Sequence, residues 1–149
     1  MLSLQPVLFC SIIKLNVCCT KVSKEDIRMY FENTGLENKV AHITLLDDLM
    51  NQHGLIRATG WDYERITWDR KFVVQDGTYY LRIFGYTNNG DNGSNDSNIT
   101  LLKPVLGKHY FPHGIEYGED EIFPANLVKT CQDVLASLSK ELDQFIIQA

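Results

Sequence analysis

Between Arg65 and Gln75 apolar and polar side chains alternate: Ile66, Trp68, Phe72 and Val74 share one side of an extended chain, and Arg65, Thr67, Asp69 and Lys71 take the other. That period of two is the pattern of a half-buried strand. Asp76-Gly77 follows as a turn signal, and TYYLRIFGY, rich in aromatic and β-branched residues, runs back as the partner. An antiparallel hairpin over residues 65–86 is the prediction. Elsewhere the period changes to that of a helix. Leu45, Leu46, Leu49 and Met50 fall on one helical face, with Thr44 placed as N-cap and Gly54 as the left-handed stop. From Pro124 onward Leu127, Val128, Cys131, Val134, Leu135, Leu138, Leu142, Phe145 and Ile146 keep three-and-four spacing, which predicts one long C-terminal helix. Its first turn accepts Pro124, and Glu119, Asp120 and Glu121 lie where negative charge suits the helix dipole.

An apolar helical stripe must be covered, and the hairpin's apolar side is the natural cover. The expectation is a single α+β domain, an antiparallel β-sheet packed against a long C-terminal helix. Between hairpin and helix, residues 87–98 (TNNGDNGSNDSN) read as a polar, glycine-rich loop, with strand-like sequence resuming at Ile99-Thr100-Leu101-Leu102. The loop lacks the sixth-position glycine and closing glutamate of a calcium-binding loop.

Composition adds a boundary. The chain has 149 residues, 44% hydrophobic and 22% charged, with net charge -5. That is an ordinary globular balance, and the absence of basic runs argues against nucleic acid. Residues 1–28 differ from the remainder: they hold three of the four cysteines and a charge of +2, which leaves -7 for residues 29–149. Their apolar run, PVLFCSII, is broken by Lys14 and too short to span a bilayer. No basic residue precedes that lysine, and no small-residue cleavage site follows. Cys18-Cys19 lack metal-site spacing. Lys24-Glu25-Asp26 can be encoded by a purine-rich ribosome-binding sequence two codons upstream of the codon for Met29. Residues 1–28 are therefore expected to be a non-native or disordered leader, and residues 29–149 the domain. One thiol, Cys131, remains in that body, as expected of a cytoplasmic protein.

Candidate chemistry concentrates in GKHYFPHGIEYGEDE, residues 107–121, with two histidines, two tyrosines and a lysine. His109 and His113 have the spacing of metal ligands on a helix, but Pro112 and Gly114 flank His113 and remove the helix. No metal and no cofactor is expected. His113 and Glu116 form the pair that acid–base catalysis would use, although no nucleophile motif accompanies them. A second polar-aromatic cluster, GWDYERITWDR, adds Trp61 and Tyr63 as candidates for a groove wall.

HGLIRATGWDYERITWDRKF, YYLRIFGY and above all LGKHYFPHGIEYGEDEIFP resemble the YugN-like proteins, small single-domain proteins of Bacillus and relatives. The resemblance runs from about Met29 through the C-terminal helix. It implies an antiparallel sheet with a long helix, broadly TBP-like or helix-grip-like, and implies no activity. The leading expectation is a small binding or accessory protein with a small-molecule pocket, rimmed by Lys108, His109, Tyr110, His113 and Glu116, with Trp61 and Tyr63 beside it. The alternative is an interaction module, a homodimer included, that uses a sheet face or edge. A hydrolase-like enzyme with the His113–Glu116 pair is third. For the leader, mass spectrometry of the native N-terminus is expected to find no peptide from residues 1–28.

Overall fold

A computed structural model describes residues 29–59, 64–88, 96–110, 114–116 and 122–148, with backbone alone for 114–116, 147 and 148. The leader, Trp61, Tyr63 and His113 lie outside the described residues. In chain order the elements are β1 (Met29–Tyr30), β2 (Val40–His42), α1 (Ile43–Gln52), β3 (Ile56–Arg57), β4 (Arg65–Val74), β5 (Gly77–Thr87), β6 (Asn98–Leu101), β7 (Val105–Tyr110), β8 (Gly114–Glu116) and α2 (Ala125–Gln148). All eight strands join one antiparallel sheet, so the α+β expectation holds.

The hairpin forms as its alternation predicts, with Ile66 paired to Gly85 at one end and Val74 to Gly77 at the other. The turn itself sits one residue earlier than Asp76-Gly77 suggests. Gln75 and Asp76 make the two-residue loop, and Gly77 opens β5 at φ 141°, backbone space reserved for glycine. Strand β5 is the centre of the sheet. One edge pairs with β4 along its length, and the other pairs with β7 over Thr78–Arg82 and with β6 over Gly85–Thr87. Strands β6 and β7 lie end to end along it, but three residues, Leu102 to Pro104, separate them where β5 has only Ile83 and Phe84. That extra residue is a bulge, and it switches which parity of side chain faces the helices. Beyond β7 lie β1 and β8, beyond β6 lies β2, and beyond β4 lies β3.

Both helices pack on one face. Tyr79, Leu81 and Ile83 of β5, Ile66 and Trp68 of β4, and Ile99, Leu101 and Leu106 form the sheet's share of the core. Ile43, Leu46, Leu49 and Met50 of α1 and Leu127, Cys131, Leu135, Leu138 and Leu142 of α2 complete it. The α2 stripe stops one turn short of its predicted length, since Phe145 and Ile146 are exposed. Gly85 lets this core close: a Cβ there would meet Ile99 Cγ2 at 2.5 Å and Trp68 Cζ3 at 3.3 Å.

Helix α1 starts two residues earlier than Thr44 as N-cap would set it. His42 is the N-cap, at ψ 140°, because pairing of β2 with β6 keeps it extended until Ile43. Its Nδ1 lies 2.8 Å from Thr44 Oγ1, its Nε2 lies 3.1 Å from Asp96 Oδ1, and Ile43 N–H donates to the Ser97 carbonyl. The stop is the expected one. Gly54 at φ 75° lets Leu55 N–H donate to Met50 O at 2.8 Å and Gly54 N–H to Asn51 O at 3.0 Å. Arg70, whose position on the helix-facing side of β4 interrupts the apolar alternation, donates from Nη1 to the His53 carbonyl at 2.7 Å. Helix α2 is tied to the rest by His53 Nε2 and Glu141 Oε2 at 3.1 Å, and by Lys39, which bonds to Ser139 Oγ at 3.2 Å and pairs with Asp143. Burial penalises the carboxylate of Glu37, yet the backbone N–H groups of Glu37, Thr34 and Gly35 and the Thr34 hydroxyl outweigh it and hold the group below its ordinary value.

Trp68 is fully buried, and its Nε1–H donates to Asp47 Oδ1 at 2.8 Å, while Asp47 Oδ2 accepts from Arg57 Nη1 at 2.8 Å. One carboxylate thus satisfies a core donor and fixes the edge strand β3. Asp47→Ala is expected to cost about 1–3 kcal/mol, the penalty for an unsatisfied buried donor, and Asp47→Asn less, in urea denaturation. Burial pushes the Cys131 thiol up to about 12, with Arg70 opposing. The fold accepts only the neutral thiol, so stability falls as pH climbs above the unfolded thiol's ordinary value of about 8.5. In the native chain at pH 8, Cys131 is expected to resist alkylation and to react on unfolding, read by mass spectrometry of its peptide.

Candidate functional site

Within residues 107–121, Gly107 to Tyr110 belong to β7 and Gly114 to Glu116 form β8, which pairs back on β7. The register pairs Lys108 with Glu116, His109 with Ile115 and Tyr110 with Gly114. Strand alternation then divides the predicted rim. Lys108 and Tyr110 share the helix-facing side with Tyr79, the register partner of Lys108 on β5. His109 takes the opposite side, next to Thr78, with its ring centroid 5.9 Å from that of Tyr80. Three consecutive candidates therefore belong to two surfaces. Glu116 takes its register position opposite Lys108, while His113 and the remaining candidates Trp61 and Tyr63 fall outside the described residues.

On the helix-facing side, the Lys108 ammonium lies 5.8 Å from the Tyr79 ring centroid and 5.1 Å from that of Tyr110. Both distances allow attraction between the cation and the ring faces. Tyr79, nearly fully buried, packs in turn on Phe123 at 5.8 Å and an interplanar angle of 56°. Phe123 precedes Pro124, whose carbonyl accepts the first hydrogen bond of α2 from Val128 N at 3.0 Å. The lysine thus sits where the sheet's end meets the start of the long helix.

The other side of the sheet carries a different surface. Along β5, Tyr80, Arg82, Phe84 and Tyr86 point away from the helices, and β4 sets Lys71, Asp69, Thr67 and Arg65 opposite them. Arg82 grips Asp69 with two bonds of 2.7 Å, Nε to Oδ1 and Nη2 to Oδ2, and its guanidinium carbon lies 5.9 Å from the Phe84 ring centroid. The geometry is the bidentate fork of guanidinium on carboxylate, and the pair is only 24% and 19% exposed. Val105, flanked in register by Arg82 and Tyr30, is buried on the same side. At the margins the surface turns apolar and open: Val73 is 73%, Ile56 68% and Tyr86 40% exposed. Among the described residues neither helix covers this face. The sequence offered the alternation that builds it but no signal that it would stay uncovered.

Among the described residues no group of three or more histidine, cysteine, aspartate or glutamate side chains is arranged to hold a metal ion. Among the same residues no helix is long and apolar enough to cross a membrane.

Known proteins share this chain's sequence and fold. It is 49% identical over 112 residues to the uncharacterised protein YlbA of Bacillus subtilis (strain 168), covering 75% of this chain and 93% of the relative. The crystal structure of the uncharacterised conserved protein YugN from Geobacillus kaustophilus HTA426 superimposes with a TM-score of 0.70 at 52% identity, covering 78% of this chain and 97% of that one. Neither description names an activity. The sequence model of the YugN-like family matches residues 32–145, and the chain belongs to that family.

Proposed function

We propose that this chain is a small cytoplasmic accessory protein that works by binding another protein, through the uncovered face of its sheet and the adjoining edge. One observation carries the reading. Both helices bury one face of an eight-stranded sheet, while the other presents Tyr80, Phe84 and Tyr86 and the exposed Val73 and Ile56. Aromatic side chains around a half-buried, internally paired charge are what protein interfaces favour near their centres. Asp69 and Arg82 neutralise each other there, so that pair presents no net charge to a partner. The single buried thiol of the body supports a reducing compartment.

A second reading keeps the small-ligand pocket and has its own observation. The Lys108 ammonium beside the Tyr79 and Tyr110 rings, near the start of α2, favours a small anionic ligand. Native mass spectrometry of the protein from its own host would detect such a ligand as added mass, and a Lys108→Met variant would lose it.

The leading reading is tested by a photo-crosslinking amino acid placed in the living host at Tyr86, at Val73 and, for contrast, at Ser137 on the exposed side of α2. Adducts are expected at positions 86 and 73 and not at 137. Adducts at 137 alone, or equal yields at all three, would reject the open sheet surface as the site of action.

A further inference from the structure

Strand β3 is only two residues long and pairs with β4 at Asp69 and Trp68. Past Asp69, toward the hairpin tip, no strand among the described residues pairs with the outer edge of β4. The backbone hydrogen bonds fix which groups face that edge. Ala58 N–H donates outward to the Thr67 carbonyl at 2.8 Å, whereas the Glu64 carbonyl accepts from Thr87 of β5 at 3.1 Å. Donors and acceptors of an antiparallel strand alternate sides residue by residue. Odd positions of β4 therefore face away from β5, and Lys71 and Val73 each turn an N–H and a C=O to the open edge. The side chains of both residues are exposed, Val73 to 73%.

We propose that this edge is a strand-addition site for an extended, acidic segment of a partner protein, a proposal that rests on the sheet-surface reading above. A segment running antiparallel to β4, collinear with β3, would place three successive residues opposite Val73, Phe72 and Lys71. The first meets an exposed valine. The second falls on the helix-facing side beside the half-buried Phe72, which packs against the core and has the Arg70 guanidinium 4.9 Å from its ring centroid. The third faces the ammonium of Lys71. Cross-strand pairs favour apolar against apolar and opposite charges, so the segment reads apolar, apolar, acidic. Backbone bonds to Lys71 and Val73 supply its affinity and the side-chain positions its selectivity. A lysine at an edge also guards against indiscriminate pairing. Here that guard selects: it repels cationic strands and a second β4 aligned lysine to lysine, and admits a carboxylate.

A fluorescein-labelled heptapeptide, Ser-Thr-Val-Leu-Glu-Val-Thr, tests this with full-length protein, alongside a version with lysine for glutamate and a single-stranded oligonucleotide. Binding of the acidic peptide is expected to protect the Lys71 and Val73 amides from hydrogen exchange in NMR spectra. Val73→Pro removes an outward N–H without touching the β4–β5 ladder, and should weaken binding by about tenfold or more while Val73→Thr does not. Lys71→Glu should reverse the preference between the two peptides. The inference fails if the lysine peptide or the oligonucleotide binds as well, if Val73→Pro binds normally, or if no amide at the edge is protected. A concentration-dependent dimer abolished by Val73→Pro would make a second copy the occupant and overturn the acidic partner. If the edge fails while crosslinks at Tyr86 persist, the open-face reading stands alone; loss of both removes it too.

Discussion

Strand β5 hydrogen-bonds to three other strands, and its side chains must alternate between two environments. Tyr79, Leu81 and Ile83 face the helices, and Tyr80, Arg82, Phe84 and Tyr86 face away. Because β4, β6 and β7 are registered to β5, this alternation dictates the face of every side chain they carry. A slip of one residue would bring Arg82 into the core and expose Leu81, a change no nearby contact compensates. The helices, the edge strands and both candidate surfaces follow from this one register.

Trp68 and Asp47 show how the register couples to the helices. The indole is buried under α1 with its N–H donated to a carboxylate on that helix, which also holds Arg57 of β3. Arg70, two residues along β4, reaches the last carbonyl region of the same helix. Polar contacts thus fix where α1 lies, while the apolar stripe of α2 covers the rest. The face left bare is the one on which charge is paired within the sheet, Asp69 to Arg82, and aromatic area is offered outward.

Much of this was legible from residue order. The 65–86 alternation, the Gly54 stop and the three-and-four stripe of α2 each express a local period or a backbone requirement that one segment carries by itself. The errors were local signals overruled by neighbours. Thr44 lost the N-cap to His42 because β6 holds β2 extended to that residue. Asp76-Gly77 marked the turn but not its frame, which the Val74–Gly77 pair sets. Lys108, His109 and Tyr110 were grouped by sequence proximity, and a strand separates such neighbours onto opposite faces.

By itself the sequence determined the 65–86 hairpin, both helices, the α+β class and their apolar faces, because periods of two and of roughly three and a half are written in the order of the side chains. Only the tertiary structure decided which surfaces remain open. The bulge at Leu102–Pro104 depends on how β6 and β7 both fit against β5, and it alone sends Lys108 toward the helices and His109 away. The bare edge of β4 depends on where β3 ends, and β3 ends where the Schellman turn after α1 delivers the chain. Pairings between distant segments leave no periodic trace in either partner, so the site had to be found in three dimensions.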